Sequence, residues 1–437
     1  MYRLMKTICL LIMTVCLVPG LVMADIKLGK HIDSLKLKGD LRLRFERHDQ
    51  DKYANKPNEE DKNNPKDRLR TRFRLGAFWK APEEKWEIGA GLATGGSGST
   101  STNATWSEDS YFETGDIRLD YAYAKHSLEV HGLKKVNFIA GQQKNPFKTS
   151  WLLWDSDVRP TGFTGHVDTG VLFGTIGIYD FIQNGNDVGL MTALQAGAKI
   201  KNGNISFLGT LTGYFFSNTP FVEDDNPPFT FEDKVRTMLA SNIDEIEKGN
   251  FIEFADGSGY TLTNKDYNDS SDYSYQLIDL YGKIDIELPN KIKISPYAQL
   301  FVNMGADGKK GEGYLVGNYE PDSENIGWVL GVSTKVQNAS FKLSYAQVGA
   351  DSCVPGLKNA DFGSKVYDGV NVQGAVIAAG YKITKHFSAE LTAYLYEPII
   401  DEVGTFGVDE DENDVFKFYK TDDRNLQMYH FDLKYKF

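Results

Sequence analysis

In residues 35–45 every second side chain is apolar or absent (Leu35, Leu37, Gly39, Leu41, Leu43, Phe45), and the positions between them are Lys36, Lys38, Asp40, Arg42 and Arg44. The pattern soon returns: Leu69, Phe73, Leu75, Ala77 and Trp79 alternate with Arg68, Arg70, Arg72 and Arg74. Successive side chains of a strand point to opposite faces, so each segment is a ribbon with one greasy side and one charged side. The alternation recurs at 86–92, 278–286, 326–332, 341–345, 387–395 and 429–437. In 116–123 the apolar face is expected to hold Ile117, Leu119, Tyr121 and Tyr123, opposite Asp116, Arg118 and Asp120. Period two sustained this widely reads as strands, and helical periodicity is hard to find after residue 25.

Strands are predicted at 35–46, 68–80, 86–94, 116–125, 136–143, 162–168, 171–180, 187–200, 205–216, 274–288, 291–302, 325–336, 340–348, 371–383, 387–396 and 425–437, sixteen in all. Alternation is weakest in the sixth to eighth, and Pro296 implies a bulge or a strand end in the eleventh. Short links follow the even-numbered strands, as at 81–84, 201–204 and 384–386. Long polar links follow the odd-numbered ones at 47–67, 95–115, 144–161, 217–273, 303–324, 349–370 and 397–424, with the short link at 184–186 as the exception. Short turns on one rim and long loops on the other are the asymmetry of an outer-membrane barrel. In hydrocarbon every backbone N–H and C=O must be paired internally, so a sheet survives there only when closed on itself. The predicted fold is therefore an all-β transmembrane antiparallel barrel with short periplasmic turns and long extracellular loops. The Leu/Phe/Tyr face would meet lipid and the Arg/Lys/Asp face would line a wet lumen, too wide at sixteen strands for side chains to fill.

The N-terminus agrees with export. Arg3 and Lys6 precede the apolar run ICLLIMTVCLVPGLVM, and 22–24 (Val-Met-Ala) offers tolerated residues for cleavage after Ala24. Residues 1–24 are read as a signal peptide, 25–34 as a short periplasmic segment and 35–437 as the barrel. Cleavage removes Cys9 and Cys16 and leaves Cys353 alone, so no intramolecular disulfide can staple the fold. No later stretch reaches the 18 or so apolar residues of a spanning helix, which a closed barrel does not need. A net charge of −12 argues against a nucleic-acid partner, since only a local basic patch would offset repulsion from phosphates.

Three stretches carry a resemblance: RLRTRFRLGAFWKAPEEKWEIGAGLAT at 68–94, GQQKNPFKTSWLLWDSDVRPTG at 141–162, and the terminal MYHFDLKYKF. Together they resemble the putative porin family of Gram-negative bacteria. The resemblance implies a passive pore in outer-membrane lipid and a homotrimer. It also implies that the aromatic alternation ending in Phe437 is the signal read by the barrel-assembly machinery. It says little about the solute. The long acidic insertions, such as 220–272, depart from the family's pattern.

Two groups of residues are candidates for selectivity. Arg42, Arg44, Arg68, Arg70, Arg72 and Arg74 share the inward parity of two adjacent strands and should form one patch, with Arg118, Asp116 and Asp120 nearby. Such a patch concentrates anions, or else pairs with inward carboxylates or an inserted loop and simply holds the wall. The link at 144–161 is expected to fold inward as a constriction. Phe147, Trp151 and Trp154 would pack on the wall, and Asp155 and Asp157 would face the arginines and create a transverse field. The alternative is an ordinary outer loop capped by its own carboxylates. The acidic runs 223–225 and 409–412 lack the spacing and glycine of a calcium loop and read as solvated charge. No nucleophile–base pair, phosphate-binding glycine loop or His/Cys metal cluster is visible, so neither an enzyme nor a cofactor is expected. The reading is a passive channel for small hydrophilic solutes or ions. Two alternatives stand beside it: a channel dedicated to one substrate class (phosphate, amides or an anionic polysaccharide), or an adhesin or scaffold barrel working through its outer loops.

Overall fold

The computed structural model describes residues 34–49, 66–81, 83–95, 101–107, 111, 115–184, 187–217, 251–253, 259–261, 275–306, 325–349, 352–363, 370, 372–399, 402–408, 414–420 and 426–437. The expected signal peptide, the N-terminal segment as far as residue 33, and the acidic runs at 223–225 and 409–412 lie outside the described residues.

Sixteen strands close into one antiparallel barrel. They are β1 (Ser34–Asp49), β2 (Lys66–Ala81), β3 (Trp86–Thr94), β4 (Ile117–Leu128), β5 (Lys135–Gln142), β6 (Thr161–Asp168), β7 (Leu172–Asn184) and β8 (Asp187–Asn202), then β9 (Ile205–Ser217), β10 (Gln276–Leu288), β11 (Ile292–Asn303), β12 (Ile326–Val336), β13 (Ala339–Val348), β14 (Val372–Lys382), β15 (Phe387–Pro398) and β16 (Leu426–Lys436). Every predicted strand is present, including the three weakest. Links after even-numbered strands are short, such as 203–204 and 337–338. Those after odd-numbered strands are long, apart from 185–186 between β7 and β8.

Closure is made by the first and last strands. Arg44 lies opposite Asp432 and Asp49 opposite Gln427. The terminal Phe437 exchanges backbone hydrogen bonds with Gly39 at 2.9 and 3.1 Å. Its ring lies against Gly39, where an added Cβ would come within 2.4 Å of it.

Burial is inverted relative to a water-soluble protein. Leu41, Leu43 and Phe45 are about two-fifths exposed, whereas Arg42, Arg44 and Glu46 are buried at 7%, 5% and 1%. Outward apolar side chains are favourable only if the outer solvent is itself apolar. No helix among the described residues is long and apolar enough to cross a membrane; the strands make the crossing.

Two details differ from the sequence reading. Tyr121 and Tyr123 do not share the face of Ile117 and Leu119. On the strand β4 Tyr121 is paired with Gly91 of β3, but Leu119 with Leu92, so Asp120 is one residue too many. This bulge reverses the parity of everything beyond it. Tyr121 therefore lies in the lumen, its ring across Gly91, where a Cβ would meet it at 2.5 Å. Tyr123 donates its hydroxyl to Glu87 at 3.0 Å. Pro296 does not end β11. It stays in register with Val332 of β12, while the ladder to β10 is interrupted between Lys283–Tyr297 and Ile286–Ile294.

The inner wall is divided. The β16–β1–β2 sector carries most of the buried charge on the strands, Arg42, Arg44, Glu46 and Asp432, with Asp120 of β4 and Asp279 of β10 outside it. On β8 to β15 the inward face of the outer half is largely apolar, with Met191, Tyr214, Phe301, Val329, Val348, Val372 and Tyr396 all buried. Two links fold inward over this apolar surface, residues 143–160 and 352–363, and join one continuous hydrophobic cluster with it.

Candidate functional site

The charged wall is built by register. Arg42 faces Arg72 and Arg44 faces Arg70 across β1 and β2, a juxtaposition that is repulsive without counter-charge. Carboxylates supply it. Arg44 binds Asp432 through two hydrogen bonds, Nε to Oδ1 at 2.7 Å and Nη2 to Oδ2 at 3.1 Å. Arg72 donates Nε and Nη2 to Asp40 at 3.0 and 2.6 Å. Glu46 receives Arg68 and, at 3.2 Å, Arg70, with His48 Nε2 2.7 Å away. Arg42 donates to the side chain of Asn103 and lies 3.8 Å from Asp432.

The inserted link 143–160 is anchored on the opposite side. Phe147 packs edge-on against Tyr179 and Tyr214, with ring centroids 6.2 and 5.6 Å apart. Lys148 and Gln195 exchange two hydrogen bonds of 2.9 Å, the backbone N–H donating to Oε1 and Nε2 donating to the backbone carbonyl. Trp151 donates Nε1 to the Tyr297 hydroxyl at 2.9 Å, with Lys342 Nζ 4.3 Å from its ring centroid. The second inserted link clasps the first: Asp155 N–H donates to Leu357 O at 2.6 Å, Ala360 N–H to Asp155 Oδ2 at 2.8 Å and Asn359 N–H to Leu152 O at 2.9 Å.

From this anchored insert two carboxylates reach the arginine wall. Asp157 accepts from Arg74, and from the Thr102 hydroxyl and N–H at 2.6 and 3.1 Å. Asp361 lies 3.6 Å from Arg44. Burial alone would raise the Asp157 carboxyl, but Arg74, the Thr102 donors and Arg72 hold it well below the usual range. Asp155 is the reverse case. Burial pushes it up to about 6, against the two backbone N–H groups it accepts from and with the Asp157 and Asp361 charges adding to the rise.

Among the sequence candidates, the six arginines line β1 and β2 and Asp157 reaches Arg74, while Phe147, Trp151 and Trp154 pack on the opposite wall. Asp155, expected to face the arginines, instead accepts from the backbone N–H groups of Ala360 and Asp157. Arg118 is half-buried in the field of Asp157, Asp120 and Arg159. Asp120 pairs with Arg159 at 2.9 Å. Asp116 stands exposed just ahead of β4, outside this group. The link 352–363 was missed by sequence reasoning, which took it as polar outer loop. Its signal was the apolar set Cys353, Val354, Leu357 and Phe362, all largely or partly buried.

The clasp makes docking depend on pH. A group whose docked pKa lies above its free value favours the docked state most below the free value, near 4, and loses that contribution as pH rises through about 6. Asp157 and Asp361 are shifted the other way and change only at lower pH. Docking is expected to be roughly tenfold more favourable at pH 5 than at pH 7.5. The near-UV circular dichroism of Trp151 and Trp154 should survive to higher urea at pH 5. An identical pH response in Asp155→Asn would contradict this assignment.

The comparisons with known proteins agree with the geometry. OprB of Pseudomonas putida superposes with a TM-score of 0.52 over 92% of this chain and 94% of that one, at 12% identity. The outer membrane channel DcaP of Acinetobacter baumannii gives a TM-score of 0.46 at 11% identity, covering 95% of this chain and all of that one. At such identities the likeness to OprB speaks for the fold alone. No curated protein matches the sequence. The model of the putative porin family matches residues 27–400. This closed sixteen-stranded barrel, apolar outside and charged along one inner wall, belongs to the putative porin family and is an outer-membrane channel.

Proposed function

We propose that the channel conducts small hydrophilic solutes and ions passively, without catalysis, and that its selectivity comes from the field between the arginine wall and the acidic face of the inserted links. One observation carries the reading. Six arginines on β1 and β2, with Lys434 of β16 3.3 Å from Asp432, share five carboxylates, Asp40, Glu46, Asp157, Asp361 and Asp432, so this paired patch carries a positive surplus. In a low-dielectric wall such a surplus favours anions and orients polar solutes in transit. Replacing Arg70, Arg72 and Arg74 together with Gln is expected to lower the anion-to-cation permeability ratio severalfold in planar bilayers. An unmoved reversal potential would show that these side chains are neutralised or lie away from the permeating ions.

A second reading, a channel dedicated to one class of substrate, is favoured by the link 352–363, which adds a second insert to the lumen. A panel of salts and sugars separates the two: a general pore ranks solutes by size and charge, a dedicated one breaks that order. The resemblance further supports a homotrimer and Phe437 as assembly signal, and the N-terminal pattern supports cleavage after Ala24. Heat-modifiable gel migration, deletion of Phe437 and N-terminal sequencing test these in turn.

A further inference from the structure

We propose that the inner mouth of the lumen holds a binding site for a multiply charged oxyanion, built on β12, β13 and β14 around Lys335, Lys342 and Lys382. The site lies on other strands than the arginine wall and goes beyond the selectivity assigned to that wall. Register carries the inward face from one to the other. Asp432, which binds Arg44, lies opposite Glu390, Glu390 opposite Gly380, Gly380 opposite Ser340, and Ser340 opposite Lys335. Residues two apart on a strand share a face, so Lys342 and Lys382 point inward as well. Two observations agree. Lys342 Nζ sits 4.3 Å from the ring centroid of Trp151 on the inserted link, and the alternate residues Phe341, Leu343 and Tyr381 are exposed to lipid. The three lysines stand close to the short links 337–338 and 383–386, which mark the inner rim.

Beside these lysines, the inward positions of the three strands in this half hold only glycine, alanine and serine. Lys342 faces Ser333 and Lys335 faces Ser340, so ammoniums and hydroxyls alternate across two strands. Lys335 and Lys342 are diagonal neighbours, about 7–8 Å apart, and Lys382 stands in the same relation to Ser340. The flanking carboxylates are already engaged: Asp285 by Lys283 and Lys293 at 3.0 and 3.1 Å, Glu390 by Lys434 at 2.8 Å. Lys335, Lys342 and Lys382 form no ion pair among the described residues. Like charges held side by side repel, so the patch favours an occupant that brings negative charge. Lysine binds phosphate-type oxygens as a point charge, and serine hydroxyls can donate to the remaining oxygens. A single negative charge would leave most of the surplus in place, which selects a multiply charged oxyanion over a monoanion.

Binding is read without conduction, so its failure and that of the channel reading are distinguishable. The probe is inorganic pyrophosphate, followed by phosphorus NMR on the protein in detergent, with empty micelles as reference and acetate at equal ionic strength as competitor. Saturable broadening beyond that of micelles is expected, and acetate should not displace it. Lys335→Gln with Lys382→Gln, both at exposed positions, should weaken binding roughly three- to tenfold while heat-modifiable migration is kept. Lys135→Gln, which removes an inward lysine from β5 on the far wall, should leave binding nearly unchanged. Broadening no greater than in micelles, wild-type affinity in the double variant, an equal loss in Lys135→Gln, or displacement by acetate would each overturn the proposal.

Discussion

Replacing Phe147 and Trp151 together with Ser is expected to release residues 146–151 from the wall and raise single-channel conductance severalfold. Phe147 is 4% exposed and fills the angle between Tyr179 and Tyr214. Trp151 joins Tyr297, Lys342 and, edge-on at 5.6 Å, Phe362 of the second insert. Truncating a buried aromatic costs about 3–5 kcal/mol, and the two sites are anchored on different strands. What would remain holds the later part of the link, since Leu152, Leu153 and Trp154 stay buried, the clasp to residues 352–363 persists and Asp157 keeps Arg74. The release therefore falls on residues 146–151, where the Lys148–Gln195 exchange contributes about 1 kcal/mol net per hydrogen bond. The barrel itself, held by interstrand ladders, should still form and migrate anomalously when unboiled. Unchanged conductance in a correctly folded double variant would mean that this link does not narrow the permeation path.

The second large effect belongs to Glu46. It is 1% exposed and receives Arg68 and Arg70, with Arg44 at 3.7 Å and His430 at 3.4 Å. Glu46→Gln keeps the shape but leaves these guanidiniums facing one another with one carboxylate fewer. Breaking such a buried charge cluster costs about 3–5 kcal/mol, because the cost falls on the partners left behind. The urea midpoint should drop clearly, and the permeability ratio should move toward anions, opposite in sign to the triple arginine variant. Adding Arg68→Gln to Glu46→Gln should recover part of the lost stability by removing one orphaned charge. A midpoint equal to wild type would show that water already screens the cluster.

Much of this was legible in residue order. Arg42 and Arg44 against Leu41, Leu43 and Phe45 assigned both faces of β1, and Arg70, Arg72 and Arg74 those of β2. Link lengths assigned the rims. The reading faltered where period two is not a local property. Tyr121 and Tyr123 alternate correctly with Asp120, yet the extra residue at the bulge turns them inward. On β9 the run Tyr214-Phe215-Phe216 is apolar on both sides; Phe215 is 43% exposed to lipid while Tyr214 and Phe216 are buried inside. Nothing in that tripeptide says that its inward half needs covering.

The chain's own pattern determined that it must close into a barrel and which flank of most ribbons meets acyl tails, because strand parity and backbone pairing in hydrocarbon act over a few neighbouring residues. Only the tertiary structure decided what fills the lumen. Tyr179, Tyr214 and Phe301 come from three strands far apart in sequence, and closure alone makes them one concave apolar surface. Residues 143–160 and 352–363 settle there because burying aromatics on that surface removes them from water, and this places Asp157 and Asp361 against the arginines.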